Sequence, residues 1–211
     1  MKRAKKNRWK FISTSDESWF FYRTSGGIIW LPEGENPPET VRNTPNDPII
    51  MITIFLNPNS LLVIDGMESG QRFNSSYFIE RILKNIALDE CVAKAKRHKQ
   101  RFSLHMDNSP VHKSKIVQEF IQSHGMFMPP HPPYSPDLSP CDFYIFGLLK
   151  KQLSGKTFDS VDELLCWIEE KFDSISKSEL LKVSSTSNKN LIHFILLFFG
   201  NELLNMFLTN L

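Results

Sequence analysis

RFSLHMDNSPVHKSKIVQEFIQSHGMFM, residues 101–128, holds a strand, a helix and a second strand in succession. Arg101 to Met106 is rich in strand formers and ends on Asp107. Lys113 to Ser123 is predicted helical, because Ile116, Val117, Phe120 and Ile121 recur on one face. Gly125 stands where a helix C-cap wants a left-handed residue, and Met126 to Met128 supplies the next strand. A helical crossover between two strands makes them parallel.

Upstream, Ile49 to Leu56 is a continuous apolar run, the pattern of a strand buried on both faces. Asn57, Pro58 and Asn59 form a turn, and Leu61 to Ile64 returns as a hairpin. A helix over 75–94 follows, with Phe78, Ile82, Leu83, Ile86 and Ala87 at helical spacing. Ahead of the hairpin, Trp9 to Thr14 and Ser18 to Tyr22 read as one strand with a break around Asp16. Residues 23–47, punctuated by Gly26, Gly27, Pro32, Gly34, Pro37, Pro38 and Pro45, read as a long loop or arm. Downstream, Pro129, Pro130, Pro132, Pro133 and Pro136 stiffen a loop. A helix resumes through Phe143, Phe146 and Leu149. A last one starts at Ser160, with Glu163 completing a capping box and Val161, Leu164, Leu165, Ile168 and Phe172 lining the buried face. The class is therefore α/β, a mixed five-stranded sheet flanked by helices.

Composition sets bounds. The chain has 211 residues, 41% hydrophobic and 23% charged, the balance of a globular domain. Net charge is only +2, so the basic clusters Lys2–Arg8 and Lys94–Arg101 carry any attraction for phosphates; the bland alternative is a solvated tail and a solvated helix end. Cys91, Cys141 and Cys166 lack paired spacing, which argues against a secreted disulfide scaffold and a cysteine zinc site. The basic start is not followed by an apolar stretch, as a secretory signal requires, and Leu191–Phe199 is too short to cross a bilayer. No membrane partner is expected.

Three aspartates stand out. Asp107 sits at a strand end, where open α/β sheets build their sites. Asp16 ends or bulges the first strand, and Asp142 begins the helix after the proline loop. Taken singly, each has a structural explanation: a turn, a bulge, or favourable placement at a helix dipole. Together they could converge. Clustered carboxylates repel unless a cation neutralises them, and oxygen ligands suit Mg²⁺ or Mn²⁺. Two such ions about 3.5–4 Å apart can drive phosphodiester chemistry.

Ser15-Asp16-Glu17-Ser18-Trp19 resembles the first catalytic segment of mariner-type transposases, of the DDE/D superfamily. Leu104-His105-Met106-Asp107-Asn108, followed by His112, resembles the second. Pro132 to Phe143, with its Tyr134-Ser135-Pro136-Asp137-Leu138 signature, resembles the third. Between Asp107 and Asp142 lie 34 residues, the mariner spacing, and the likeness runs over roughly residues 9–178. The resemblance implies an RNase H-like fold, a triad of Asp16, Asp107 and Asp142 binding two Mg²⁺ or Mn²⁺ ions, and DNA as partner, both transposon ends and target. It implies endonuclease cleavage at those ends, then strand transfer in DNA integration. By position, Asn108 and His112 support the ligands from behind or contact DNA; their bland alternatives are a turn residue and a helix-start residue. Asp137 takes a structural role in the loop that positions Asp142. The arm 23–47 corresponds to a region that reaches a partner subunit or DNA, so a homodimer is implied, with Trp30 as a contact or a core cover.

The domain plan is a basic tail over 1–8, a catalytic domain over 9–178 and an atypical tail over 179–211. The family carries helix-turn-helix modules ahead of its catalytic domain, and none is expected within residues 1–8. The tail, running from Ser184 to Asn188 into an apolar end, reads as a frameshift or as a real helix presenting Leu191, Phe194, Ile195 and Phe198. Competing readings are a catalytically dead remnant with at most non-specific DNA binding, and a metallohydrolase of another phosphodiester. A nuclear location follows for a eukaryotic source, a cytoplasmic one otherwise. Trp9, Trp19 and Trp167 are expected in the core or at its edge. His105, His112, His124 and His131 match no zinc spacing, and His105 is expected to alternate outward on its strand.

Overall fold

The structure is a computed structural model, and it describes residues 11–22, 49–57, 60–67, 70–99, 101–183 and 186. The basic N-terminal cluster, Trp9, the arm 23–47 with Trp30, and the apolar stretch Leu191–Phe199 lie outside those residues. Three strands form an antiparallel meander: β1 (Ile12–Phe21), β2 (Ile49–Asn57) and β3 (Ser60–Met67). Helix α1 covers 75–88, and α2 is Glu90–Arg97. Strand β4 (Phe102–His105) then pairs parallel with β1. Helix α3 (Lys115–Ser123) crosses to β5 (Met126–Phe127), parallel to β4. Helix α4 covers 141–153, α5 is Val161–Asp173, and residues 177–183 form α6. The sheet order is β3-β2-β1-β4-β5, the mixed five-stranded arrangement that the sequence predicts.

Helices cover both faces of the sheet. On one, Ile50, Ile52, Ile54 and Leu56 of β2 meet Ile145, Phe146 and Leu149 of α4, Leu164 and Ile168 of α5, and Leu180 of α6. On the other, Phe55, Phe102 and Leu104 meet Phe78, Ile82 and Ile86 of α1, and Val117 and Ile121 of α3. Strand alternation assigns odd and even residues to these two layers. Gly66 lets α5 approach β3 closely: a Cβ there would lie 2.8 Å from Ile50 Cδ1 and 2.9 Å from Val161 Cγ1.

Several boundaries differ from the sequence expectation. β1 is unbroken, its pairing with β2 running from Thr14 through Phe21 without a bulge, so Asp16 is mid-strand. Acidic residues are poor strand formers, but two flanking strands override that preference. Helix α1 winds as a π-turn over Phe78–Leu83, and the chain breaks at Asp89, in extended backbone, before α2. Trp19 is 51% exposed rather than in the core, on the part of β1 beyond its pairing with β4. Trp167 does pack at the edge of the core. His105 is buried, not outward, because β4 is an inner strand with both faces covered.

At the chain's end, Leu180 and Val183 are buried, so packing continues past residue 178 through α6. No helix among the described residues is long and apolar enough to cross a membrane. In the basic cluster that closes α2, Lys94 and Arg97 pair with Glu90 at 3.0 and 4.0 Å.

Candidate active site

Register brings the first two aspartates together. Thr14 of β1 is the parallel partner of His105 of β4, and two residues beyond each lie Asp16 and Asp107. Asp142 arrives on the π-turn Cys141–Ile145 that opens α4. π-turns occur mostly as single-turn insertions in α-helices, frequently at functional sites. Asp16, Asp107 and Asp142 line one open cleft of about 430 Å³, with Asn108, Ser109, His131 and the loop Pro132–Pro136 forming its other walls.

Even-numbered residues of β1 meet α4 in sequence. Asp16 Oδ2 accepts from Ser139 Oγ at 3.0 Å, Ser18 Oγ accepts from Lys150 Nζ at 2.7 Å, and Phe20 packs edge-on against Phe146. Ser139 Oγ also accepts from the Asp142 amide at 3.4 Å, so one hydroxyl ties two of the aspartates. Burial pushes the Asp16 carboxyl up to about 8, helped by a hydrogen bond with Asp142 and by the charges of Asp142 and Glu17. The amide of Glu17, donating to Asp16 Oδ1 at 2.9 Å, opposes this.

Asp107 is held differently. His112, fully buried, brings Nδ1 to 2.8 Å from Asp107 Oδ1, which also accepts from the Ser109 amide at 2.9 Å. On the other side of the ring, Nε2 lies 3.5 Å from Glu17 Oε1, an ion-pair distance rather than a hydrogen bond. Burial pulls His112 down, but the Asp107 hydrogen bond and Glu17 prevail and lift it to about 9. The His112 bond in turn holds the Asp107 carboxyl below its ordinary range. His112 is thus an imidazolium clamped between two carboxylates.

Asn108 donates Nδ2 to the carbonyl of His131 at 2.5 Å, fixing the proline loop to the end of β4. Behind the cleft, His131 Nδ1 lies 3.0 Å from His105 Nε2. Burial and the nearby His131 lower His105 to about 3. Asp137 sits in the 3-10 turn Pro136–Leu138, outside the cleft lining. His124 stacks on Phe120.

The sequence residues thus divide. Asp16 and Asp142 face one another, whereas Asp107 shares their cleft but is turned to His112. Among the described residues no three acidic, histidine or cysteine side chains stand close enough to hold one ion. The donor set nevertheless fits a hard divalent cation: all oxygen, with a raised carboxyl whose proton a cation would replace. Glu17, Ser139 and His131 are the contributors that sequence reasoning missed. Glu17 had a signal, since alternation sends it to the face opposite Asp16. Ser139 reaches Asp16, and His131 reaches the cleft, only through the folding of the proline loop.

Residues 12–165 match the family model described as DDE superfamily endonuclease. The chain belongs to the DDE superfamily endonucleases. It is 24% identical over 163 residues to the Mariner Mos1 transposase of Drosophila mauritiana, covering 76% of this chain and 47% of that protein. It is 28% identical over 149 residues to the human histone-lysine N-methyltransferase SETMAR, covering 70% of this chain and 22% of that one. The chain therefore spans about half or less of the curated relatives it matches. The crystal structure of the Mos1 mariner paired end complex with Mn superposes with a TM-score of 0.74 at 19% identity, over 89% of this chain and 56% of that one. The fold is RNase H-like, and the mariner resemblance read from the motifs holds.

Proposed function

We propose that this DDE superfamily domain is the catalytic domain of a cut-and-paste DNA transposase. It would cleave phosphodiesters at transposon ends and join the freed 3′-hydroxyl to target DNA. The observation that carries this is the lining of one cleft by Asp16, Asp107 and Asp142. Mos1 mariner, solved as a paired end complex with Mn, supports both the DNA and the metal.

Two divalent cations would be held by the three aspartates, and when bound they activate a hydroxyl nucleophile and stabilise the leaving oxygen. The protein's own part is positioning. Ser139 sets Asp16 against the head of α4. His112 and the Ser109 amide aim Asp107. Asn108 anchors the proline wall. Because Asp107 is turned from the other two, the site would close on the ions together with DNA. Uniting two ends calls for a second copy of the chain, and a eukaryotic source would place the work in the nucleus.

The test is nicking of supercoiled DNA and joining of a pre-cut 3′-hydroxyl end, with Mn²⁺ or Mg²⁺. Activity should vanish on chelation and in each of Asp16→Asn, Asp107→Asn and Asp142→Asn. Activity that survives those substitutions in pure protein would overturn the proposal.

A further inference from the structure

His105 and His131 form a pair to which the carboxylate chemistry gives no role. Their rings meet at 46° with centroids 4.9 Å apart, and His131 Nδ1 lies 3.0 Å from His105 Nε2. His105 is 2% exposed at the end of β4. His131 lines the cleft beside the three aspartates. Its ring is held by His105, its carbonyl by Asn108, and its chain direction by prolines at 129, 130, 132 and 133. These constraints fix the direction of the His131 ring. With Nδ1 turned inward to His105, Nε2 is the nitrogen left for the cleft.

A contact between two ring nitrogens needs one N–H and one lone pair. The protons can therefore sit in two ways: His105 donates to His131, or the reverse. A non-bridging phosphate oxygen only accepts, so a phosphodiester in the cleft selects the arrangement with an N–H pointing toward it. His105 Nε2–H then donates to His131 Nδ1, and His131 carries its proton on Nε2, facing the cleft. Which ring nitrogen holds the proton is set by the bond that the other makes. That N–H is a donor to which a phosphate oxygen in the cleft can bond.

Resting on the phosphodiester reading above, we propose that His131 is a substrate-contacting catalytic residue whose Nε2–H donates to a non-bridging oxygen of the scissile phosphate. His105 is its positioning residue, fixing tautomer and ring plane.

The experiment has two arms on the full chain. The first labels histidines with ¹⁵N and reads tautomers from two-bond proton–nitrogen correlations, without and with a short duplex bearing a 3′-hydroxyl nick, in Ca²⁺. The expected result is an Nε2–H tautomer at His131 that shifts on adding DNA, and a mixture of tautomers in His105→Phe. An Nδ1–H tautomer at His131, or a His131 signal indifferent to DNA that moves other resonances, overturns the proposal. The second arm measures cleavage. Loss of one donor to a developing oxyanion lowers rate roughly 100-fold. His131→Ala should show that loss, and His131→Gln, whose amide nitrogen reaches a similar place, should recover part of it. If Asp107→Asn abolishes cleavage while folded His131→Ala keeps the parent rate, the histidine assignment alone fails. If Asp107→Asn cleaves like the parent, the carboxylate reading fails, and the nitrogen spectra still decide His131.

Discussion

Asp16 and Glu17 are consecutive on β1, and their carboxylates serve opposite faces of the sheet. Asp16 meets Ser139 ahead of α4, while Glu17 meets His112 in the loop before α3. One strand thus positions two of the aspartates, Asp16 directly and Asp107 through the buried histidine.

Replacing Glu17 with Gln removes the charge 3.5 Å from His112 Nε2 and keeps the shape. Residues behind metal ligands typically change affinity or activity by about 10–100-fold. Glu17→Gln should lower the cleavage rate by about 10-fold and shift the His112 titration, followed by NMR, below that of the parent. An unmoved His112 titration would show that the ion pair does not form in solution.

The clamp also sets a pH dependence. His112 is lifted from 6.5 to about 9, so its contribution is full below 6.5 and is lost as pH rises through 9. Asp107 is depressed, so its share is present above 3.8 and is lost as pH falls below that value. Thermal midpoints of the metal-free chain should therefore carry a His112-dependent decline between pH 6.5 and 9. At its limit, the His112 contribution is on the order of 3 kcal/mol. Subtracting the profile of a folded His112→Asn variant isolates it. Parallel profiles for parent and variant over that window would refute the clamp.

Asp16 has the opposite sense of usefulness. Its carboxyl is raised to about 8, so stability present below 3.8 is lost as pH rises through 8. At neutral pH a buried carboxyl crowded by Asp142 and Glu17 works against the fold. Asp16→Asn should stabilise the metal-free chain by at least about 1 kcal/mol, raising its thermal midpoint by at least roughly 2–4 °C for this size. Mn²⁺ should stabilise the parent and leave the variant unchanged. A variant less stable than the parent, and still responsive to Mn²⁺, would contradict this.

These residues also show where sequence reading stops. Apolar runs and helical spacing place all the strands, because β2 is buried on both faces and α3 and α5 each present one apolar stripe. The expected break at Asp16 is instead continuous strand, since Asp16, Glu17 and Ser18 are polar for the site and paired for the sheet. Local rules fail most often at functional positions for this reason. The π-turn that presents Asp142 leaves no trace in periodicity, and the His105–His131 contact joins residues 26 apart. The three motif aspartates were legible; the buried groups that aim them were not, apart from His112, because they depend on how loops close over the sheet.

Helix α6 offers a last discrimination, because two adjacent leucines on it have opposite environments. Leu180 is 3% exposed within the core formed with α4 and α5, and Leu181 is 51% exposed. Tyr144 on α4 donates its hydroxyl to Glu179, pinning the start of this helix. Removing a buried leucine side chain costs about 2–5 kcal/mol, whereas an exposed one is nearly neutral. Leu180→Ala should lower the urea midpoint strongly and Leu181→Ala hardly at all. Equal, small effects from both would mean that α6 does not dock, and that the folded domain ends near residue 178.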